Sequence, residues 1–305
     1  MRQPAHLPRN NLFRRTLESG RFAFTAEITP PRGASLAPLT ACARDLAPVV
    51  SGINLTDGAG ARVRMSSLAA AIHVKQLGFE PILQMTCRDR NRIALQGDLL
   101  GAAAFGIENV LVLSGDPVDA GDSAAKGVFD LDARSLLAAL QAMQANGTTL
   151  SGNELEGPVR FFPGAADIPF EPGSRWTTAG LDAKKQAGAR FVQTQFCFDM
   201  ALLERYTAHL RAQGLLDDLF LLVGLGPLRS AESARWMREH LPGTSMPDGV
   251  IRRMEAARDP RQEGIAICAE LIREARDIEG VAGVHLMAPG RHQAIVEAVQ
   301  RSGLG

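Results

Sequence analysis

Asn109-Val110-Leu111-Val112-Leu113-Ser114-Gly115-Asp116 is the stretch that decides the fold. From Val110 to Leu113 the run is apolar without alternation, the pattern of a strand buried on both faces. Strands of that kind belong to parallel sheets covered by helices, so helical segments are expected on either side. A glycine and an acid follow at once, which turns the chain where the run ends.

Upstream, Arg92–Phe105 has helical spacing and is closed by Gly106. Before it stand a strand, Pro81–Cys87, and a helix, Met65–Leu77, capped by Gly78. Gly52–Gly58 is a strand with its turn, and Ser35–Leu46 is helical with Leu36, Leu39, Cys42 and Leu46 on one face. The first strand lies in Phe22–Arg32, where Pro30 and Pro31 cannot donate ladder hydrogen bonds and stop it. Its alternation puts Phe22, Phe24, Ala26 and Ile28 on one side and Ala23, Thr25 and Glu27 on the other.

Downstream, a long polar connection, Pro117–Asp130, leads to a helix, Ala133–Ala145, and a loop over 146–157. Strands then read at Val159–Ala166, Arg190–Phe196, Leu219–Gly224 and Gly283–Met287. Between and after them come helices at Thr178–Ala187, Met200–Gln213, Ala231–His240, the pair Pro247–Arg258 and Arg261–Asp277, and His292–Arg301. Eight strands, each followed by a helix, predict an α/β fold of one domain, a (β/α)8 TIM barrel over residues 22–305. Residues 1–21 are expected to be an exposed arm leading into a helix. A doubly wound sheet would need fewer strands or a break into halves, and no linker or low-complexity tract provides one.

The 305 residues are 46% apolar, enough for a large core, and a single barrel commonly runs ~250 residues. Zero formal charge argues against nucleic acid or an anionic membrane as the main partner. Cys42, Cys87, Cys197 and Cys268 are scattered with no C-x-x-C pair, so neither zinc nor a disulfide framework is expected. With no apolar leader-like run near the start, a reducing cytoplasm is the expected location. The composition leaves the oligomeric state open, a homo-oligomer included.

In such a barrel the active site forms at the C-terminal ends of the strands. That rule selects Glu27, Thr56, Asp57, Gln84, Thr86, Cys87, Asp116, Gln195 and, after the last strand, Arg291. Other readings stand beside several of these. Asp57 and Asp116 adjoin glycines and suit turn-shaping or capping, and Arg88-Asp89-Arg90-Asn91 suits a solvated turn whose Asn91 caps the next helix. Lys184-Lys185 reads as a solvated helix face and His285 as a satisfied core histidine. Gln195, in an apolar strand, needs partners that a ligand at the rim would supply. Gly58-Ala59-Gly60 and Gly224-Leu225-Gly226 lack the third glycine of a dinucleotide fingerprint, and no histidine pair has metal-ligand spacing.

These rim segments resemble the methylenetetrahydrofolate reductase family. Thr25–Arg32 is similar to its E-x-x-P-P-R opening. Thr86-Cys87-Arg88-Asp89-Arg90-Asn91, followed by Asp98-Leu99-Leu100-Gly101-Ala102, resembles the T-C-R-D-R-N and D-L-L-G-A tract of one bacterial branch. Ser114-Gly115-Asp116-Pro117 resembles its G-D-P turn, and Ala187-Gly188-Ala189 through Thr194-Gln195 its A-G-A…T-Q segment. The likeness runs from about residue 22 to the C-terminus.

The resemblance implies reduction of 5,10-methylenetetrahydrofolate to 5-methyltetrahydrofolate, with hydride passing from NAD(P)H through a bound flavin. FAD leads, with FMN or no flavin as the alternatives. It implies Glu27 as the general acid and Asp116 as the acid near flavin and pterin. Gln195 and Arg291 are implied on the folate, and Thr56, Gln84, Ser114, Gly115, Ala165 and Lys184 on the flavin. Where the family carries a histidine, an arginine, a tyrosine and a second histidine, this chain has Gln84, Ser114, Asp167 and Glu171. Those exchanges alter how a pyrophosphate or isoalloxazine is held. The resemblance also admits a flavin-free reductase using NADH directly, and an accessory pterin-binding subunit of a methyl-transfer complex.

Overall fold

The computed structural model describes residues 11–173 and 177–305. Residues 1–10 of the expected arm lie outside the described residues. Strands β1 (Ala23–Ile28), β2 (Gly52–Leu55), β3 (Pro81–Thr86), β4 (Asn109–Leu113), β5 (Phe162–Asp167), β6 (Phe191–Phe196), β7 (Phe220–Leu225) and β8 (Val281–Leu286) form a closed barrel in chain order. Every neighbouring pair is parallel, and β8 closes on β1 through Ala23 opposite Gly283 and Thr25 opposite His285. The fold is the expected (β/α)8 barrel.

Helices cover the strands from outside: α2 (Ala37–Leu46), α3 (Ser67–Gln76), α4 (Arg92–Ala104), α5 (Ala133–Ala145), α6 (Ala179–Gln186) and α7 (Met200–Ala212), with α1 (Leu12–Glu18) before β1. After β7 come α8 (Ala231–His240), α9 (Asp248–Ala256) and α10 (Pro260–Asp277), and α11 (His292–Ser302) follows β8. Local chemistry sets their starts. Asn91 accepts from the N–H groups of Ile93 and Ala94 at 3.1 Å, and Asp132 and Ser230 each form a reciprocal capping box.

Strand alternation divides the core into two. Outward residues such as Ala26, Leu55, Leu83, Val110 and Val192 join the layer between barrel and helices. A second cluster fills the lower lumen with Ala23, Ile82, Leu111, Phe162, Phe191 and Leu222. Into it α1 inserts Phe13 and Leu17, both buried. Phe13 meets Phe191 edge-on at 5.0 Å between ring centroids. The helix expected before β1 is present as α1, and through Phe13 and Leu17 it forms the floor of the barrel. Gly164 is required there, because a Cβ would lie 2.2 Å from the Phe191 ring.

Two strand starts differ from the sequence pattern by more than one residue. β5 begins at Phe162 rather than Val159, since the Phe161 N–H is taken by the Gln144 side chain and only then does pairing with β4 start. Pro163 sits inside β5, where its missing donor matters little and its carbonyl accepts from Arg190 at 2.7 Å. β8 begins at Val281, two residues early, where an irregular register with β7 accommodates it.

Candidate active site

The lumen above the aromatic floor is polar. Buried Asn54 on β2 and Gln193 on β6 exchange amide hydrogen bonds at 2.6 and 3.1 Å. Gln193 also donates to Thr25 Oγ1 at 3.0 Å, and Thr25 Oγ1 lies 3.0 Å from His285 Nδ1. These four side chains close the barrel centre with partners satisfied, as buried polar groups must be. His285 fits the reading of a satisfied core histidine, and its other nitrogen reaches upward, 3.8 Å from Glu27 Oε2.

Glu27 stands on this layer, half-buried, near the end of β1. Gln84 on β3 donates its amide to Glu27 Oε2 at 3.1 Å. Both open onto a cleft of about 490 Å³ whose lining includes Asp116, Asp167, Phe170, Lys184, Gln195 and Met287. The cleft thus brings together Glu27, Gln84, Asp116, Lys184 and Gln195. Gln195 spends its Oε1 on the N–H of Phe196 at 3.0 Å, and among the described residues its NH2 group has no protein partner. Lys184 is no solvated lysine. Its Nζ donates to the Ala166 carbonyl at 2.6 Å and lies 3.9 Å from Asp167, which also accepts from the Tyr206 hydroxyl. Lys185 likewise pairs with Asp218 at 2.6 Å.

Five expected site residues do not line the cleft: Thr56, Ser114, Gly115, Ala165 and Arg291. Ala165 faces the helix layer because alternation turns its neighbour Ala166 inward. Arg291 directs its guanidinium to the Pro227 carbonyl at 2.6 Å, tying the β8–α11 loop to the β7–α8 loop. Ser114 is exposed above the cleft. Gly115 takes φ +94°, and a Cβ there would press on Arg88 and Thr86 at 3.0 and 3.1 Å, so its role is to let the chain pass. Thr56 is buried, and its Oγ1 has no hydrogen-bond partner.

The T-C-R-D-R-N segment is structural on this rim. Asp57 caps nothing: its Oδ2 accepts from the Thr86 N–H at 2.8 Å and Oγ1 at 3.0 Å and pairs with Arg90. Arg88, expected in solvent, is 2% exposed, because its guanidinium holds Asp89 and the Gly58 carbonyl. Asn91 does cap α4, as expected. Cys87 points into the outer core, where burial pushes its thiol up to about 11, so it offers no nucleophile. Asp116 accepts from the Gly60 N–H at 2.8 Å, which joins the connection after β4 to the one after β2.

Sequence reasoning overlooked Asn54 and Gln193. Gln193 lies two residues before Gln195, so strand period alone assigns it the same inward face, as it does Thr25 beside Glu27. Among the described residues no group of histidine, cysteine and carboxylate side chains is arranged to hold a metal ion. No described helix is long and apolar enough to cross a membrane.

A family model described as methylenetetrahydrofolate reductase matches residues 12–303. A Caenorhabditis elegans protein named "Probable methylenetetrahydrofolate reductase (NADPH)" is 24% identical over 80% of this chain and 35% of its own length. "Methylenetetrahydrofolate reductase 2" of Schizosaccharomyces pombe is 22% identical over 87% of this chain and 42% of its own. The chain therefore spans well under half the length of these curated relatives. Among solved structures, a Clostridium thermocellum protein that binds two copies of 5-methyl-5,6,7,8-tetrahydrofolic acid aligns with TM-score 0.65 and 13% identity, covering 95% of this chain and 98% of the other. DmoA from Hyphomicrobium sulfonivorans aligns at 0.57 and 10% identity, over 91% and 86%. At these identities the two structures speak for the fold.

Proposed function

The chain belongs to the methylenetetrahydrofolate reductase family, and on that premise we propose that it reduces 5,10-methylenetetrahydrofolate to 5-methyltetrahydrofolate with NAD(P)H as hydride source. The observation that carries this reading is Glu27, held by Gln84 at the mouth of a cleft that also presents Gln195. A folate-class ligand is further supported by the 5-methyltetrahydrofolic acid bound to the Clostridium thermocellum protein of like fold.

The substrate carries its methylene between two nitrogens. Breaking one of those bonds gives an iminium that accepts hydride, and the departing nitrogen needs a proton. Glu27 is the proton donor proposed here. Gln84 donates to Oε2, which leaves Oε1 to carry the proton toward the cleft and fixes the carboxyl plane. His285 stands behind the same Oε2, anchored by Thr25, so the carboxyl cannot swing down into the lumen. The unpartnered NH2 group of Gln195 is a donor for an acceptor on the pterin ring edge. Asp116 adds negative charge at the far wall, where positive charge develops on the iminium.

The family resemblance implies a flavin, and the residues at the rim fit its ring system. Gln84 keeps a second amide hydrogen beyond its bond to Glu27, the Gln195 NH2 group is unpartnered, and the half-exposed Phe170 ring offers a flat face. When bound, that group relays hydride between nicotinamide and folate. Among the described residues lining the cleft no free lysine or arginine stands ready for a diphosphate, since Lys184 is engaged by Ala166 and Asp167. Gln84 and Ser114, standing where the family carries a histidine and an arginine, favour a second reading, in which hydride passes from nicotinamide to folate directly.

The ultraviolet-visible spectrum of the purified protein, before and after NADH, tests both together with a folate-reduction assay. A flavin band that bleaches with NADH and returns with methylenetetrahydrofolate is the expected result. Turnover without a flavin band selects the direct reading, and absence of turnover with added FAD or FMN sinks the proposal.

A further inference from the structure

Three arginines stand together, without counter-ions among the described residues, at the same end of the barrel as Glu27. Arg32 follows the double proline after β1, and Arg62 and Arg64 lie between β2 and α3. The Met65 N–H donates to the Pro31 carbonyl at 2.9 Å, so the two connections are fastened together through the immediate neighbours of Arg64 and Arg32. Pro30 and Pro31 stiffen one side of this join. Arg32 and Arg62 are exposed, and Arg64 is half-buried with its Nε enclosed and unpartnered. Burial, then the charges of Arg32 and Arg62, hold the Arg64 guanidinium below its ordinary value.

The neighbouring rim arginines are arranged otherwise. Arg88 is saturated by Asp89 and Gly58, and Arg90 by Asp57 and Asp98. A buried guanidinium N–H with no acceptor, beside two like charges, is a cost that an anion would remove. The guanidinium fork matches phosphate and carboxylate oxygens in particular. The cleft wall carries Glu27, Asp116 and Asp167, and its lysine is already engaged. An anionic tail is therefore repelled from that wall and drawn to the β1 and β2 connections.

We infer that Arg32, Arg62 and Arg64 form an anion-binding site for the phosphate or carboxylate tail of a ligand whose ring lies in the cleft. It deepens the proposed function, on which the identity of the tail rests. The two sources of such a tail are the diphosphate of a dinucleotide and the glutamate carboxylates of a folate.

Calorimetric titration of the full chain with pyrophosphate, ADP-ribose, and 5-methyltetrahydrofolate bearing one or three glutamates tests the inference. Arg32→Gln and Arg62→Gln both alter exposed side chains and keep the fold testable, and Arg64→Gln completes the set. The expected result is that the double variant Arg32→Gln/Arg62→Gln weakens pyrophosphate binding roughly tenfold, an effect that fades in about 0.5 M salt. A parallel loss for ADP-ribose assigns the site to a dinucleotide. A loss confined to the triglutamate, with the monoglutamate unchanged, assigns it to folate. Equal affinities of wild type and variants for every probe overturn the inference. Pyrophosphate binding needs no turnover, so a chain that binds it through these arginines yet reduces no folate retains this site while losing the proposed reaction.

Discussion

Gln84 and Glu27 meet across the barrel mouth at 3.1 Å, from strands that are not neighbours, with β2 lying between them. The contact runs through the lumen and not along the sheet. It gives the carboxyl a fixed orientation before any ligand arrives, and general acid catalysis depends on that geometry.

Glu27→Gln is expected to remove folate reduction by about 10²-fold or more, the usual worth of a positioned acid. NAD(P)H oxidation by any bound flavin persists, because no proton donation to folate enters that half-reaction. Stopped-flow measurement of the two half-reactions decides it, and loss of both together assigns Glu27 a structural role.

Gln84→Leu keeps the side-chain size but withdraws the donor from Glu27. The kcat of folate reduction is expected to fall about tenfold with KM little changed, since Glu27 loses the group that fixes its carboxyl plane. A rise in KM with kcat unchanged argues that Gln84 contacts the ligand alone.

Phe13→Ala opens the barrel floor, where Phe13 packs on Phe162 and Phe191. Unfolding in denaturant is expected to show a loss of about 3–5 kcal/mol. A loss under about 1 kcal/mol would mean that α1 is not part of the cooperative core.

Glu80 sits beneath the barrel, bonded to Lys75, the Leu12 N–H and Asn109. Burial raises its carboxyl above the ordinary value, with Lys75 opposing. The folded state therefore holds this proton more tightly than the unfolded chain. Its contribution to stability is full below the ordinary carboxylate range and declines as pH rises through the folded pKa. Glu80→Gln mimics the protonated form, so the variant's melting temperature is expected to gain on wild type as pH rises above about 4.5. A difference that stays constant with pH contradicts the assignment.

Asp57→Asn removes the charge opposite Arg90 and weakens the hold on Thr86. With both side chains mostly buried, about 2 kcal/mol of stability is expected to go. Denaturant titration measures it, and an unchanged midpoint shows the pair to be replaceable by solvent.

The alternation read in β1 predicted the inward set of Ala23, Thr25 and Glu27, because a period of two leaves only one choice of face once the barrel is known. Gln84 and Gln195 were legible as polar groups at strand ends for the same reason. Arg88 was not, since nothing local tells a buried guanidinium from a solvated one until Gly58 and Asp89 are seen to receive it. Arg291 and Ala165 show the converse: their place in the chain is at the rim, but their side chains turn to Pro227 and to the helix layer.

The sequence alone determined the barrel, its direction and the strand ends at which chemistry belongs, because hydrophobic period, glycine caps and the proline stop act within a few residues. Only the tertiary structure decided which polar groups meet. The Glu27–Gln84 pair, the Asn54–Gln193–Thr25–His285 layer beneath it and the unpaired arginines beside Pro31 join residues far apart in the chain. Their contacts follow from barrel closure and register, which set distances that no local pattern encodes.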